Sequence, residues 1–265
     1  MSNPSSKLCS LVAIGTGLVA IAAPTIHASE LVLDHDVRQV YTELNSDYIG
    51  GGGGSGIGGG GGALPYGTPW IESTRSNNIS QDGYLEIDSY ASQSSTIDTI
   101  TNSWTGTNTT STFVAPRIPL TGSDISSSAS GESIFDMIFT VSETTQARLV
   151  GSEYSLQASS LGVANIYAGV FNTDTGELLY SFSDDTSLGG TSGSFDSGLL
   201  DFEAGQFYGL YIYAGSTTSV GMVQNNPVLE SASSSLSYNF SIVPAPSSAI
   251  ALGLGGLVST RRRRG

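Results

Sequence analysis

Between residues 130 and 245 bulky apolar side chains recur at every second position. Phe135, Met137, Phe139 and Val141 form one such row, and Tyr208, Leu210, Ile212 and Ala214 another. Leu236, Tyr238, Phe240 and Ile242 make a third, and Ala164, Ile166, Ala168 and Val170 a fourth, followed by Leu178, Tyr180 and Phe182. A period of two puts every second side chain on one face of a strand, so each row predicts a strand with one face on a core. The link Asn172-Thr-Asp-Thr-Gly-Glu177 has the composition of a hairpin turn, and Ala204-Gly205 that of a turn feeding the 207–213 strand. Residues 147–156 and 194–202 carry weaker strand patterns, and Val37 to Leu44 and Tyr84 to Tyr90 supply strands in the first half. No segment outside the two ends sustains a helical period. The pattern predicts an all-β chain with a single β-sandwich or jelly-roll-like domain over residues 29–243.

Two stretches interrupt this pattern. Gly50 to Gly62 holds eleven glycines, broken only by Ser55 and Ile57. So little side chain predicts a flexible Gly-rich loop. A phosphate-cradling loop would need a Lys-Ser/Thr and a helix next, whereas Ala63-Leu64-Pro65-Tyr66 follows. Residues 91–128 are rich in Ser, Thr and Asn with little apolar alternation, which fits either long edge strands with polar faces or an unpacked insert.

Only 12% of residues are charged, about half the usual share, and Gly, Ser and Thr take their place. The formal charge of -14 conceals a sharper asymmetry. Between residues 29 and 243 the basic side chains are Arg38, Arg75, Arg117 and Arg148; these four against all 23 acids leave the body at −19. Such a surface repels phosphate backbones and argues against nucleic acid as a partner. Acids on strand faces and turns also keep an exported protein in solution.

Residues 1–28 divide as a secretory signal does: a polar start with Lys7, the apolar run Leu11 to Ala23, and a polar exit ending in Ala28. Cleavage is expected before Ser29, with the export machinery and signal peptidase as partners. The apolar run is too short to span a bilayer. Cys9, the one cysteine, lies upstream of that run, so the mature chain carries no thiol and no disulfide.

The C-terminus reads Val243, Pro244, Ala245, Pro246, then an uncharged stretch from Ser247 to Thr260, then Arg261, Arg262, Arg263 and Arg264 before Gly265. As a helix the uncharged stretch measures about 21 Å at 1.5 Å per residue, short of a hydrocarbon core of about 30 Å unless the arginine stems extend it. Basic residues after an apolar run hold that end on the cytoplasmic side. A proline-flanked motif, a Gly/Leu/Ala helix (Leu252, Gly253, Leu254, Gly256, Leu257) and a terminal Arg run together resemble the PEP-CTERM sorting signal of Gram-negative bacteria. The resemblance covers about the last 23 residues and departs at Ala245, where that family usually has Glu. It implies recognition and cleavage of residues 244–265 by an exosortase, attachment to the membrane through the tail before processing, release to the cell surface or medium, and association with exopolysaccharide. A plain Arg-stopped membrane anchor is the competing reading of the same residues.

The mature chain is poor in catalytic groups. His35 is its one histidine, without a Gly-x-Ser-x-Gly elbow, and lysine is absent from the body. Glu86/Asp88 and Asp201/Glu203 place two carboxylates on one strand face, as a glycoside hydrolase would require. Asp34/Asp36, Asp174/Glu177 and Asp184/Asp185 are acid pairs at turns that could take a structural Ca²⁺, though none matches a calcium loop. No other cofactor is expected. For stacking sugars, Trp70, Trp104 and the Tyr-rich 207–213 strand are the candidates, with Tyr208 on the core face and Phe207, Tyr211 and Tyr213 on the other. These readings converge on an exported, non-enzymatic cell-envelope or extracellular-matrix protein, its sandwich a structural or adhesive module. A carbohydrate-binding module is the alternative, and a glycoside hydrolase the third.

Overall fold

The computed structural model describes residues 31–48, 56–61, 69–79, 85–98, 101–116, 125–188, 191–220 and 229–243. The expected signal peptide, Pro244, Pro246 and Arg261 to Arg264 lie outside these residues; Val243 is the last described position. Thirteen strands run in order: β1 Leu31–Tyr48, β2 Gly56–Gly61, β3 Trp70–Ile79, β4 Leu85–Asp98, β5 Ser103–Pro116, β6 Ile125–Val141, β7 Thr145–Ala158, β8 Gly162–Asn172, β9 Leu178–Asp185, β10 Ser192–Asp196, β11 Leu200–Phe202, β12 Phe207–Val220 and β13 Glu230–Val243. The one helical turn is Thr186–Leu188 among the described residues.

They form two antiparallel sheets. The six-stranded sheet has the order β2-β1-β6-β12-β8-β9; the seven-stranded sheet has β10-β7-β13-β5-β4-β3, with β11 on β7. The chain is a β-sandwich, as the alternation predicts, and its strands are long. β1 and β6 pair continuously from Leu31↔Val141 to Tyr48↔Ile125, with one irregularity at Leu33/His35. At about 3.3 Å per residue such a ladder runs roughly 55 Å.

All four apolar rows of the second half face inward. The largest cluster joins Phe135, Met137 and Phe139 to Tyr208, Leu210, Ile212, Leu236 and Phe240. Trp104 completes it, stacked on Phe240 at 4.9 Å between ring centroids and edge-on to Phe139 at 4.8 Å. The predicted turns also form. Asn172 Oδ1 accepts the N–H groups of Asp174 and Thr175, and Gly176 takes a φ of 73° that a Cβ would oppose. Leu178 departs from its row: Phe171 pairs with Leu178 while Val170 pairs with Tyr180, so Leu179 is an extra residue that turns Leu178 to solvent.

Residues 91–128 are neither edge strands nor an insert over most of their described length. β5 lies inside its sheet between β13 and β4. Its inward side chains are polar, which hid the period. Asn108, Thr110 and Thr112 are buried, as are Gln93 and Ser95 on β4. Asn108 and Thr112 meet the other sheet through hydrogen bonds, while Thr110 bonds to Ser234 on the neighbouring β13. Asn108 Nδ2 donates to the Ser133 carbonyl at 3.1 Å, Thr112 and Thr218 share a hydroxyl bond of 2.7 Å, and Ser133 Oγ donates to the Ser92 carbonyl at 3.0 Å. Beyond this polar seam a second small core gathers Leu44, Leu85, Ile87, Val114, Ala129 and Val220.

Gly56–Gly61, expected within a flexible loop, is instead an edge strand pairing with Gln39 to Leu44. An edge strand needs only backbone groups to extend a ladder, which glycine supplies, although it contributes no packing there. Residues 194–202 divide in two, because Gly198 has a φ of 67° between β10 and β11.

Candidate aromatic face on the six-stranded sheet

The outward side chains of the six-stranded sheet are placed by the alternation that buries their neighbours. Tyr167 lies between buried Ile166 and Ala168, and Tyr211 and Tyr213 flank buried Ile212. Cross-strand register then sets them side by side. One row reads Gln39, Ile134, Tyr213, Tyr167 and Ser183 across β1, β6, β12, β8 and β9. The next reads Val37, Asp136, Tyr211, Gly169 and Ser181, and on the other side lies Tyr41, Glu132, Gly215 and Asn165. Neighbouring strands are about 4.8 Å apart, and rows about 6.7 Å apart along a strand, so adjacent rings are within contact range. Tyr167 and Tyr211 meet at 5.9 Å between centroids.

Three outward glycines shape this face. A Cβ on Gly169 would strike the Tyr167 ring, one on Gly209 the Phe171 ring, and one on Gly215 the Tyr213 phenol. The rings therefore lie over bare backbone, covering the glycines and turning a flat side outward. Every described strand belongs to one of the two sheets, so no third layer of described structure covers the face. Tyr41, Tyr167, Tyr211 and Tyr213 are half-buried and Phe207 is exposed.

Carboxylates border the rings. The Tyr213 hydroxyl donates to Glu132 Oε1 at 3.5 Å, and the Tyr41 hydroxyl to Glu43 Oε2 at 3.4 Å. Partial burial, then the Glu132 charge, pushes the Tyr213 phenol up to about 12. Burial and the Asp136 and Glu132 charges also raise Tyr211. Both phenols therefore remain neutral donors at ordinary pH. Burial raises Asp136 above the usual carboxylate value, against the opposing effects of His35 and the Met137 N–H.

The other candidates are dispersed. Trp104 is fully buried in the main core, and Trp70 is buried beside Val40 and Ala91, so neither tryptophan can stack a ligand. His35 is exposed on β1, just past the irregularity in its ladder. Asp88 is occupied by Arg75 Nε at 2.7 Å and Asn77 Nδ2 at 3.3 Å, which separates its role from that of Glu86. Asp201 accepts from Gln146 Nε2 and Glu203 from Gln206 Nε2. Asp34 is exposed while Asp36 is turned inward onto Arg38. Asp174 accepts the Phe207 N–H; Asp184 accepts from Thr191 Oγ1, and Asp185 from the Ser187 N–H. Among the described residues no three His, Cys, Asp or Glu side chains gather as a metal site.

The outer face of the seven-stranded sheet differs in kind. Ser73, Ser92, Thr109, Ser235, Ser155 and Ser192 align in one row across six strands. A shallow depression of about 310 Å³ between β7 and β10 is lined by Ser155, Leu156, Gln157, Ala158, Thr191 and Ser192, none of them ionisable near neutral pH.

No protein-family model matches the chain, and no curated protein does. Among solved structures, one concerning the promiscuous specificity of carbohydrate-binding modules from the β-sandwich superfamily aligns at 12% identity over 79% of this chain and 97% of its own, with a TM-score of 0.18. The GH31 α-xylosidase of Xanthomonas citri aligns at 11% identity over 81% of this chain and 27% of its own, with a TM-score of 0.12. Likenesses at these scores carry no argument about ligand or chemistry.

Proposed function

We propose that the chain is an exported, non-enzymatic surface module that binds saccharide on the outer face of its six-stranded sheet. One observation carries this reading: Tyr167, Phe171 and Tyr213 lie over bare glycine backbone on one face, with Tyr211 against Tyr167, and carboxylates border them. Aromatic planes take the C–H faces of sugar rings, and neighbouring carboxylates and phenols take their hydroxyls. Export rests on residues 1–28, and sorting to the envelope on the PEP-CTERM-like tail with Val243, Pro244, Pro246 and Arg261 to Arg264.

The distribution of acids favours binding over hydrolysis. A glycosidase sets an acid of raised pKa opposite a second carboxylate about 5–9.5 Å away. Asp136, the raised carboxyl of this face, is four residues along β6 from Glu132, a Cα separation of about 13 Å at the usual rise. Glu43 lies farther still along the ladder.

Affinity electrophoresis of the purified chain through gels containing neutral and charged polysaccharides tests the reading. Retardation by at least one polysaccharide, lost in Tyr211→Ala/Tyr213→Ala with the melting temperature kept, is the expected result. Retention unchanged in that variant would refute the site. For the tail, mature surface protein that still carries Arg261 to Arg264 by mass spectrometry would refute processing.

A further inference from the structure

The acids on the aromatic face are not balanced by bases. Glu43, Glu132 and Asp136 point outward there, and among the described residues of that face His35, at one end, is the sole basic side chain. Arg38 is turned into the interior, while Arg75 and Arg148 belong to the other sheet, paired to Asp88 and Asp196. The body as a whole stands at −19, counting four arginines against 23 acids over residues 29–243. An anionic polysaccharide would therefore meet repulsion both at the face and on approach.

We infer that this face selects glycans bearing free amines, such as a polymer of partly de-acetylated amino sugar; this rests on the saccharide reading above. An ammonium group gains from the negative faces of aromatic rings and from charge-assisted hydrogen bonds to carboxylates, and this face offers both together. Glu132 stands opposite Gly215, over which the Tyr213 phenol lies and donates to Glu132 Oε1, so ring and carboxylate are held side by side. Asp136 stands opposite Tyr211. One carboxylate thus lies a row beyond Tyr213 and the other beside Tyr211 on the neighbouring strand. A sugar stacked on either ring can turn an amine toward one of them. Neutral phenols at Tyr211 and Tyr213 add donors without adding charge.

Co-sedimentation of the full chain with particles of an N-acetylated amino-sugar polymer, and with the same polymer de-acetylated, tests the preference. A neutral glucan and a uronate polymer complete the series. Binding to the de-acetylated polymer about tenfold or more tighter than to its acetylated form is expected, with none to the uronate polymer. Glu132→Gln/Asp136→Asn should erase most of that difference. Glu153→Gln/Asp201→Asn removes the same charge from exposed positions on the other sheet and should change it less than about twofold, since exposed charges beyond a Debye length are screened. Equal loss in both variants would mean that bulk charge drives the retention and would overturn the inference. Equal binding to acetylated, neutral and de-acetylated polymers would overturn it too while leaving saccharide binding intact. Failure to bind any polymer in the series would overturn both.

Discussion

Asp36 and Arg38 are the pair whose disruption the structure weighs most clearly. They are two residues apart on β1 and both face the interior, Arg38 fully buried and Asp36 4% exposed. Arg38 donates to the two carboxylate oxygens through Nε at 2.9 Å and Nη2 at 2.6 Å. Its guanidinium carbon lies 5.9 Å from the Phe135 ring centroid, and Nη1 has no hydrogen-bond partner among the described residues. Asp36→Asn keeps the volume, removes the charge and turns an amide N–H₂ toward a guanidinium that can only donate. Leaving one buried charge uncompensated costs about 3–5 kcal/mol. Set against a total of roughly 5–15 kcal/mol for a domain, that is a large fraction. At about 2–4 °C per kcal/mol for a chain of this size, the melting temperature should fall by roughly 6–20 °C. Replacing both partners, Asp36→Leu/Arg38→Met, removes the desolvation cost with the attraction and should restore stability to the parent value or above. Thermal melts followed by far-UV circular dichroism, with urea titrations to check that the slope is unchanged, measure both. A single variant melting within about 2 °C of the parent would refute the reasoning, because by the same scale it bounds the pair's disruption below about 1 kcal/mol.

Glu230 is buried and accepts from the Ser159 and Ser160 hydroxyls and the Leu161 N–H, tying the β7–β8 turn to β13. Burial raises its carboxyl, and these three bonds more than offset that, so its pKa lies below the ordinary value. Glu230→Gln should cost about 1.5–3 kcal/mol at neutral pH by urea denaturation. Because the folded pKa is depressed, that difference should be full above about pH 4.3 and vanish as the pH falls through the folded value. A gap that persists unchanged at lower pH would count against the charge as its source. Gly131→Ala would bring a Cβ to 2.9 Å from the Tyr90 carbonyl oxygen of the facing sheet, so the sheets must separate locally. A loss of about 1–3 kcal/mol is expected, and a neutral substitution would show that the seam yields.

Rows of alternating Phe, Leu, Ile and Tyr announce their inward face because one partner in each pair is apolar. β4 and β5 lack that contrast. Gln93, Asn108, Thr110 and Thr112 point inward beside outward Ser92, Thr107, Thr109 and Ser111, so both faces look alike in sequence. Asn108 and Thr112 are placed by hydrogen bonds to the opposite sheet, which join residues up to 106 positions apart, and Thr110 by one to Ser234 on the neighbouring β13. Trp104 shares the difficulty, since its neighbours Ser103, Thr105 and Gly106 conceal a core position. The aromatic face was legible only in part. Tyr211 and Tyr213 follow from the phase of β12, but Tyr167, Phe171, Glu132 and Asp136 join them through the non-sequential ladder β6-β12-β8. Their alternation with Ile166, Ala168, Val170, Ser133 and Phe135 was a usable signal of outward orientation. Sequence held no signal of which strands would be neighbours.

The polar seam and the aromatic face are linked through the same strands. Where hydroxyls span the sandwich, the inward residues are small, as with Ser133 and Ser216, and the sheets approach until the Gly131 Cα faces the Tyr90 carbonyl. Hydrogen bonds there have directions that dispersion contacts lack, so they set how β4 and β5 register against β6 and β12. Asn108 bonds to the carbonyls of both Ser133 on β6 and Ile212 on β12, the residues immediately inside Ile134 and between Tyr211 and Tyr213. One buried amide thus clasps the two strands that carry Glu132, Asp136 and the tyrosine pair. An apolar residue at position 108 would leave the Ser133 and Ile212 carbonyls to their ladder bonds alone and free the outer face to shift with the sheet. The buried amide, costly as its Oδ1 is with no partner among the described residues, fixes an outer surface that no side chain on that surface could fix by itself.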